Sequence, residues 1–188
     1  MSKIWITSDL HFNHSRSFIY EPRGFQSVEE MNETIIERFN SKVSPEDEVY
    51  ICGDLCLGGG ELEVLEKNME LIERLNGHIH VILGNHDTPA RIAMYAMCKN
   101  VEEIVYATMI HYRGYHFYLS HFPTLTANLD EDKPLKARVI NICGHSHTMN
   151  KFADMDKGLI YHAELDANNC YPILLDAIIE DIKHFGQN

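Results

Sequence analysis

Five short polar clusters, each following an apolar run, contain the side chains of this sequence that could do chemistry. Buried Asp, Asn and His side chains are costly to a fold unless they bind something or take part in a reaction. Ligand sites in α/β sheets lie outside the carboxyl ends of the strands. We therefore expect the clusters to form one site. They are Ser8-Asp9-Leu10-His11, Gly53-Asp54, Gly84-Asn85-His86-Asp87, Ser120-His121 and Gly144-His145-Ser146-His147.

The residue types in these clusters are those of a metal site. Asp9 and His11 are two residues apart, so in an extended chain their side chains point to the same side and can share an ion, and His145 and His147 repeat that spacing. Oxygen and imidazole ligands without a thiolate suit Mn, Fe, Zn, Ni or Co. The candidates are too many for one tetrahedral ion and suit two bridged ions, as in phosphoryl transfer. They are Asp9, His11, Asp54, Asn85, His121, His145 and His147.

The net charge of the whole chain and the expected charge of the predicted site have opposite signs. The formal net charge of the chain is -12, which repels polyanions and disfavours non-specific binding of nucleic acid. Two divalent ions would bring about +4, and the carboxylates of Asp9 and Asp54 would leave about +2 in the pocket. We therefore expect a small phosphorylated substrate rather than a nucleic-acid polymer.

The surrounding sequence predicts an α/β fold. Short β-branched runs, mostly continuous as in strands covered on both faces, predict strands over residues 4–7, 49–52, 80–83, 104–110, 116–119, 139–143 and 159–162. Helical spacing predicts helices over 28–41, 61–75, 89–98 and 174–185, the first capped by Ser27. Residues 106–119 are expected to form a hairpin that turns near Arg113-Gly114. This order favours a single domain over residues 1–188, an α/β sandwich of two sheets.

Cysteine usage and hydropathy predict a cytoplasmic protein. The chain has 5 cysteines, an odd number without a CxxC pair, which favours a reduced compartment and no structural zinc. The first residues turn acidic too soon for a signal peptide. We see no apolar run of the roughly 18 residues that a membrane span requires.

The clusters, read in order from residue 9 to residue 147, resemble the motifs of the calcineurin-like metallophosphoesterase superfamily, in particular its small uncapped bacterial and phage branch. These motifs are D-x-H, GD, GNHD, a single His and GHSH. The resemblance implies a four-layer αββα sandwich with two mixed β-sheets and a metal site at the carboxyl ends of the strands. It also implies two divalent transition-metal ions, manganese first among them. The implied ligands are Asp9, His11 and His147 for metal one, Asp54 as the bridge, and Asn85, His121 and His145 for metal two.

The resemblance further implies a mechanism in which a metal-bridging hydroxide attacks phosphorus in line. His86 would be the catalytic general acid to the leaving oxygen, and Asp87 would orient His86 or raise its pKa. From the residues alone, Asp87 is equally suited to cap the helix expected at residue 89. Gly84 is expected to let the chain turn sharply enough to separate its neighbours Asn85 and His86.

Four further residues near the motifs are candidates for supporting roles. His14, Arg16 and Arg23 follow the first motif and are candidates to bind substrate at the mouth of the site. His162 ends a late strand and is a candidate to support a metal ligand through a hydrogen bond.

Together these features predict a two-metal hydrolase of phosphodiester bonds in small or nucleotide-like substrates. Phosphomonoesters stay candidate substrates as well. The alternatives are a catalytically silent metal-binding scaffold, a hydrolase of another bond such as an amide, and a nuclease. The sequence leaves the oligomeric state open.

Overall fold

The computed structural model describes residues 2–125 and 132–185 of the chain. The strands are β1 Ile4–Thr7, β2 Glu48–Ile51, β3 His78–Ile82, β4 Val101–Val105, β5 Ala107–Tyr112, β6 Tyr115–Ser120, β7 Val139–Cys143, β8 Ile160–His162 and β9 Ile173–Leu174. The helices are α1 Ser17–Tyr20, α2 Val28–Asn40, α3 Leu62–Glu73, α4 Pro89–Tyr95, α5 Met155–Gly158 and α6 Leu175–Phe185.

The strands form two mixed sheets. The first has the order β4-β3-β2-β1-β9, in which only β9 is antiparallel to its neighbour among the described strands, and the second has the order β5-β6-β7-β8, with β5 antiparallel to β6. Because β1, β2 and β3 are parallel, their carboxyl ends meet at one edge of the first sheet, and the parallel strands β6 and β7 do the same in the second. The expected four-layer α/β sandwich is confirmed.

Alternating apolar side chains place the sheets between helices. Val49 of β2 is buried in one core cluster with Ile35 of α2, so the helices α2 to α4 cover one face of the first sheet. Ile6 of β1 points the other way and shares a second cluster with Phe117 of β6 and Ile178 of α6. The second cluster is the core between the two sheets, and it holds the carboxyl ends of their strands close together.

Local signals set the ends of several elements. Ser27 Oγ accepts a hydrogen bond from Glu30 N at 3.1 Å, which confirms the predicted cap of α2. The hairpin of β5 and β6 turns at Arg113 and Gly114, whose φ angles of 50° and 81° are the left-handed pair that a two-residue turn requires. The four predicted helices are confirmed as α2, α3, α4 and α6, although α4 ends at Tyr95 instead of residue 98.

One strand prediction was wrong. Residues 104–110 were expected to form a single strand, but β4 ends at Val105 in the first sheet and β5 begins at Ala107 in the second. The chain crosses between the sheets at Tyr106, which is 79% exposed. Since no Gly or Pro interrupts this β-branched run, its composition contains no signal for the crossing.

Two observations bear on the expected compartment. All five cysteines are free and buried, and burial raises the pKa of the Cys56 thiol to about 12, so they behave as small apolar side chains. Among residues 2–125 and 132–185, every helix is too short or too polar to cross a bilayer. The cytoplasmic location stays a prediction.

Candidate metal centre

The five polar clusters meet where the carboxyl ends of the two sheets adjoin. His121, which follows β6, places its Nδ1 2.8 Å from the carbonyl oxygen of Cys52, which follows β2. Gly144, which follows β7, donates from its backbone N to the oxygen of His121 at 3.0 Å. The first bond joins the two sheets and the second joins two strand ends of the second sheet, so one site receives side chains from both sheets.

A first group of potential ligands consists of Asp9, His11 and His147, whose facing atoms all lie within 4.8 Å of one another. Asp9 Oδ1 is 3.6 Å from His11 Nε2 and 3.7 Å from His147 Nε2. Asp9 Oδ1 is buried and has no hydrogen-bond partner among the described residues. Its companion Oδ2 accepts from Ser8 Oγ at 2.5 Å and from His145 N at 3.0 Å. A carboxylate held by one oxygen, with the other aimed at two imidazoles, fits a bound divalent cation.

A second group shares Asp9 with the first and adds Asp54 and His121. Asp54 Oδ2 is 3.5 Å from His121 Nε2 and 3.9 Å from His11 Nε2, so Asp54 lies between the two groups. Asn85 Oδ1 is 2.8 Å from both His121 Nε2 and the Nδ1 atom of His145. All seven residues predicted as ligands therefore converge. Their oxygen and imidazole donors suit divalent transition metals.

The ligand residues reach this arrangement through strained backbone. Asp9 and His11 have φ angles of 56° and 53°, which lie in the left-handed region. The assumption of an extended chain at this point was wrong. Non-glycine residues in this region cost of order 1–3 kcal/mol each and cluster at functional sites. The same strain occurs at Asp54, His145 and His147, with φ angles of 53°, 74° and 48°.

The glycines of the motifs make room for the carboxylates. A Cβ atom on Gly84 would lie 2.2 Å from Asp54 Oδ1, and one on Gly144 would lie 2.2 Å from Asp9 Oδ2. The expected sharp turn is present, because Asp87 N donates to Gly84 O at 3.3 Å, but Gly84 has no left-handed φ angle and so the turn does not depend on its conformational freedom. Its physical role is the close approach of its backbone to Asp54.

Hydrogen bonds outside the motifs orient the imidazoles. A carbonyl oxygen can only accept, so His121 Nδ1 carries the hydrogen donated to Cys52 O, and its Nε2 is free to bind a metal. His147 Nδ1 lies 2.9 Å from Asp166 Oδ2 and is oriented in the same way. Asp166, in the short 3-10 turn Leu165–Asn168, was missed by the sequence analysis. The available signal was a carboxylate shortly after β8 ends.

Arg23 supports this carboxylate and does not line the mouth as expected. Its Nε and Nη2 donate to the two oxygens of Asp166 at 3.1 and 2.8 Å, and Nη2 also donates to Asp9 O at 2.8 Å. The side chain is only 1% exposed, so a substrate cannot reach it. Despite burial, hydrogen bonds from His147 and Arg23 hold the pKa of Asp166 well below its usual range.

Asp87 takes neither of its two expected roles. Its Oδ2 accepts from Gly84 N at 2.6 Å and from Asp54 N at 3.3 Å, and its Oδ1 accepts from Tyr95 OH at 2.7 Å. The cap of α4 is Thr88. Asp87 therefore braces the loop that presents Asp54, and both its oxygens are used away from the imidazole of His86.

His86 lies at the open side of the centre. Its Nε2 is 3.9 Å from Asp54 Oδ2, and its side chain is 44% exposed. With His14 and Arg16 it lines a cleft of about 540 Å³ that also exposes the ligands. Burial and the neighbouring charges of His11 and His86 lower the pKa of His14 to about 4, so at neutral pH His14 is an uncharged hydrogen-bonding group in this cleft.

The ionisation of Asp9 and His11 in the first group favours cation binding, whereas Asp166 raises the pKa of His147 despite its burial. Burial would raise the pKa of Asp9, but the surrounding imidazoles of His11, His147 and His121 outweigh it and lower the pKa, which keeps the carboxylate ionised. Burial lowers the pKa of His11, which keeps its imidazole neutral. A neutral imidazole beside an ionised carboxylate is the protonation state that a metal requires.

The other histidines lie apart from these ligands. His162 is buried, with Nδ1 3.0 Å from Glu164 Oε1 and Nε2 3.0 Å from Asp154 Oδ2, so it does not support a metal ligand directly. Asp166 has that role instead. The remaining five histidines lie outside the cleft lining: His78, His80, His111, His116 and His184.

Comparison with known proteins identifies the class of protein that this fold and site define. The calcineurin-like phosphoesterase family matches residues 2–184, so the chain belongs to this family and is a metal-dependent hydrolase of phosphoric esters. The chain is 34% identical over 184 residues to the uncharacterized protein MJ1445 of Methanocaldococcus jannaschii, covering 97% of this chain and 93% of the relative. It is 32% identical over 169 residues to the Gene 66 protein of Mycobacterium phage L5, covering 79% of each chain. Among solved structures, the protein of unknown function AQ665 from Aquifex aeolicus shares the fold, with a TM-score of 0.71, 21% identity and coverage of 96% and 99%.

Proposed function

We propose that this protein hydrolyses phosphodiester bonds of small or nucleotide-like substrates, with phosphomonoesters as poorer substrates, and that it uses two divalent ions, Mn²⁺ first among them. The observation that carries the proposal is the position of Asp54 between His11 and His121, at 3.9 and 3.5 Å. A carboxylate that lies between an imidazole of one group of ligands and an imidazole of the other is suited to bridge a pair of ions.

We divide the ligands between the two ions as the family resemblance implies, and the contacts of Asn85 Oδ1 with His121 and His145 at 2.8 Å support the second set. Asp9, His11 and His147 would hold one ion, and Asn85, His121 and His145 would hold the other, with Asp54 between them. When bound, the pair would supply an activated water as nucleophile and neutralise charge that develops on the phosphoryl oxygens.

His86 is suited to donate a proton to the leaving oxygen. Its backbone N donates to Asp54 Oδ1 at 2.9 Å, which holds the residue beside the centre while leaving the imidazole exposed to the cleft. The Arg91 guanidinium donates to the carbonyl oxygens of His86 and Gly58 and pins the loop from below. His86 is thereby positioned without being a metal ligand.

His14 and Arg16 complete the binding surface at the mouth. His14 lines the cleft, where its uncharged imidazole can form a hydrogen bond to a substrate oxygen. Arg16 lines the same cleft and can attract an anion. The net charge of -12 supports a small substrate over a nucleic-acid polymer, and we propose a cytoplasmic location from the cysteine usage.

The test uses chelated protein refilled with Mn²⁺ and offered bis-p-nitrophenyl phosphate beside p-nitrophenyl phosphate. We expect turnover to return with the metal, with higher kcat/KM for the diester. An amide substrate such as a p-nitroanilide serves as the control for another bond. Failure to cleave either ester with Mn, Fe, Zn, Ni or Co would contradict the proposal.

A further inference from the structure

Large apolar side chains are exposed around the mouth of the metal centre. Phe18 is 68% exposed, Phe122 is 50% exposed and Met149 is 70% exposed. Phe18 and Met149 line the cleft itself. Exposed apolar groups that surround a polar centre mark a ligand-binding surface more often than chance exposure.

The two aromatic rings pack against different histidines of the centre. The ring of Phe18 packs edge-on against His14 at 5.5 Å between centroids, on the side of His86. The ring of Phe122 packs edge-on against His145 at 4.6 Å and against His121 at 5.0 Å. Each ring therefore keeps part of its surface free beside the position that a phosphate would take.

We propose that Phe18 and Phe122 bind the two ester groups of a phosphodiester whose groups are planar or apolar, such as aryl groups or nucleosides. This inference rests on the proposed function and names its substrate class. Phe18, beside the proposed acid His86, binds the leaving group, and Phe122 binds the group that stays on phosphorus. A phosphomonoester has no second ester group to place against Phe122, so the two aromatic side chains together favour diesters.

The size and lining of the cleft support this assignment. A cleft of about 540 Å³ is far larger than a phosphate group needs and is of the size that holds a small organic ligand. The ligands supply the polar contacts at its centre, while Phe18, Met149 and Phe122 add apolar surface around its mouth. Aromatic side chains stack on planar groups with little dependence on which planar group it is.

The test compares two diesters that share a leaving group. Bis-p-nitrophenyl phosphate and methyl p-nitrophenyl phosphate both release p-nitrophenol, and they differ only in the group that stays on phosphorus. For Phe122→Ala we expect the ratio of their kcat/KM values, aryl over methyl, to fall about tenfold, mainly through KM of the aryl diester. For Phe18→Ala we expect kcat/KM to fall for both substrates, with the ratio unchanged within about twofold.

A matched control is Met97→Ala, because Met97 is 71% exposed just beyond the carboxyl end of α4 and lies outside the cleft lining. It should leave both kcat/KM values at the wild-type level. If Phe122→Ala lowers kcat/KM equally for both substrates, or leaves both values unchanged, the inference is overturned while the proposed phosphoesterase activity still stands. Loss of metal-dependent turnover in the wild type would instead overturn the proposed function, and these two failures are distinguishable in one assay.

Discussion

At the scale of single residues, the side chains that orient the metal ligands lie outside the motifs that contain the ligands. Asp166 joins the imidazole of His147 to the buried guanidinium of Arg23, and Arg23 in turn donates to the backbone oxygen of Asp9. Such outer partners fix the tautomer and the ring orientation of a ligand and raise its basicity. Asp166 is therefore predicted to affect metal binding although it need not touch the ion.

We predict that Asp166→Asn weakens Mn²⁺ binding about 10- to 100-fold, because the charge behind His147 is lost and Arg23 is left without its carboxylate. Calorimetric titration of chelated protein measures the affinity, and thermal unfolding checks that the variant is folded. Asp176→Asn is the control, since Asp176 pairs with Arg113 away from the site. An affinity within about threefold of wild type would show that Asp166 does not tune the metal.

The role of His86 leads to a prediction that depends on the leaving group. His86→Asn should lower kcat by about 10²- to 10⁴-fold for diesters with an alkoxide leaving group, which needs a proton. The loss should be much smaller for p-nitrophenol, which leaves as a stable anion. Steady-state kinetics with both classes measures the contrast, and metal affinity should stay at the wild-type value. Equal losses for both classes would remove His86 from the acid role.

At the scale of elements, strand ends and close-packed glycines create the site. The parallel strands β1, β2 and β3 deliver Asp9, Asp54 and Asn85 to one edge, and the loops can approach because Gly84 has no side chain. The contact between Gly84 and Asp54 is tighter than a Cβ atom allows, so a methyl group there must displace the carboxylate.

We therefore predict that Gly84→Ala abolishes measurable binding at the Asp54 position and destabilises the fold by about 1–3 kcal/mol through overpacking. Gly60→Ala is the matched control, because the nearest atom to its Cβ would be that of Ala90 at 3.9 Å. Urea unfolding and metal titration of the two variants measure both effects. A Gly84→Ala variant that binds Mn²⁺ like the control would show that the loop is free to adjust.

The sequence predicted the sandwich, most elements and the convergence of the seven candidate ligands, because strand periodicity and the polar clusters at strand ends are local signals. It did not predict the crossing at Tyr106, since the sheet to which a β-branched residue belongs is set by distant partners. The positions of Arg23 and Asp87 were also missed for this reason. Their partners, Asp166 and Tyr95, lie 143 and 8 residues away, and a composition signal cannot pair them.

At the scale of the whole molecule, the buried His162 makes stability depend on pH. Burial alone would lower its pKa, but hydrogen bonds and the charges of Glu164 and Asp154 raise it above its usual value. The folded protein therefore holds this proton more tightly than the unfolded chain. The resulting stabilisation is fully present below the unfolded pKa of about 6.5 and is lost as the pH rises through the folded pKa.

We predict that the difference in unfolding free energy between the wild type and His162→Gln is largest below about pH 6.5 and shrinks as the pH rises. Urea unfolding of chelated protein across this range measures the difference, and the subtraction removes the titration of the metal ligands common to both proteins. A difference that grows with pH would mean that His162 is neutral when folded.

We propose that two ions at one shared site give this fold its phosphodiesterase activity. The most direct measurement titrates chelated protein with Mn²⁺ while recording both the ions bound per chain and the hydrolysis of bis-p-nitrophenyl phosphate. We predict that activity rises with the second ion and saturates at about two per chain, as expected for a bridged pair. Full activity with a single bound ion, or two bound ions without hydrolysis, would contradict the account.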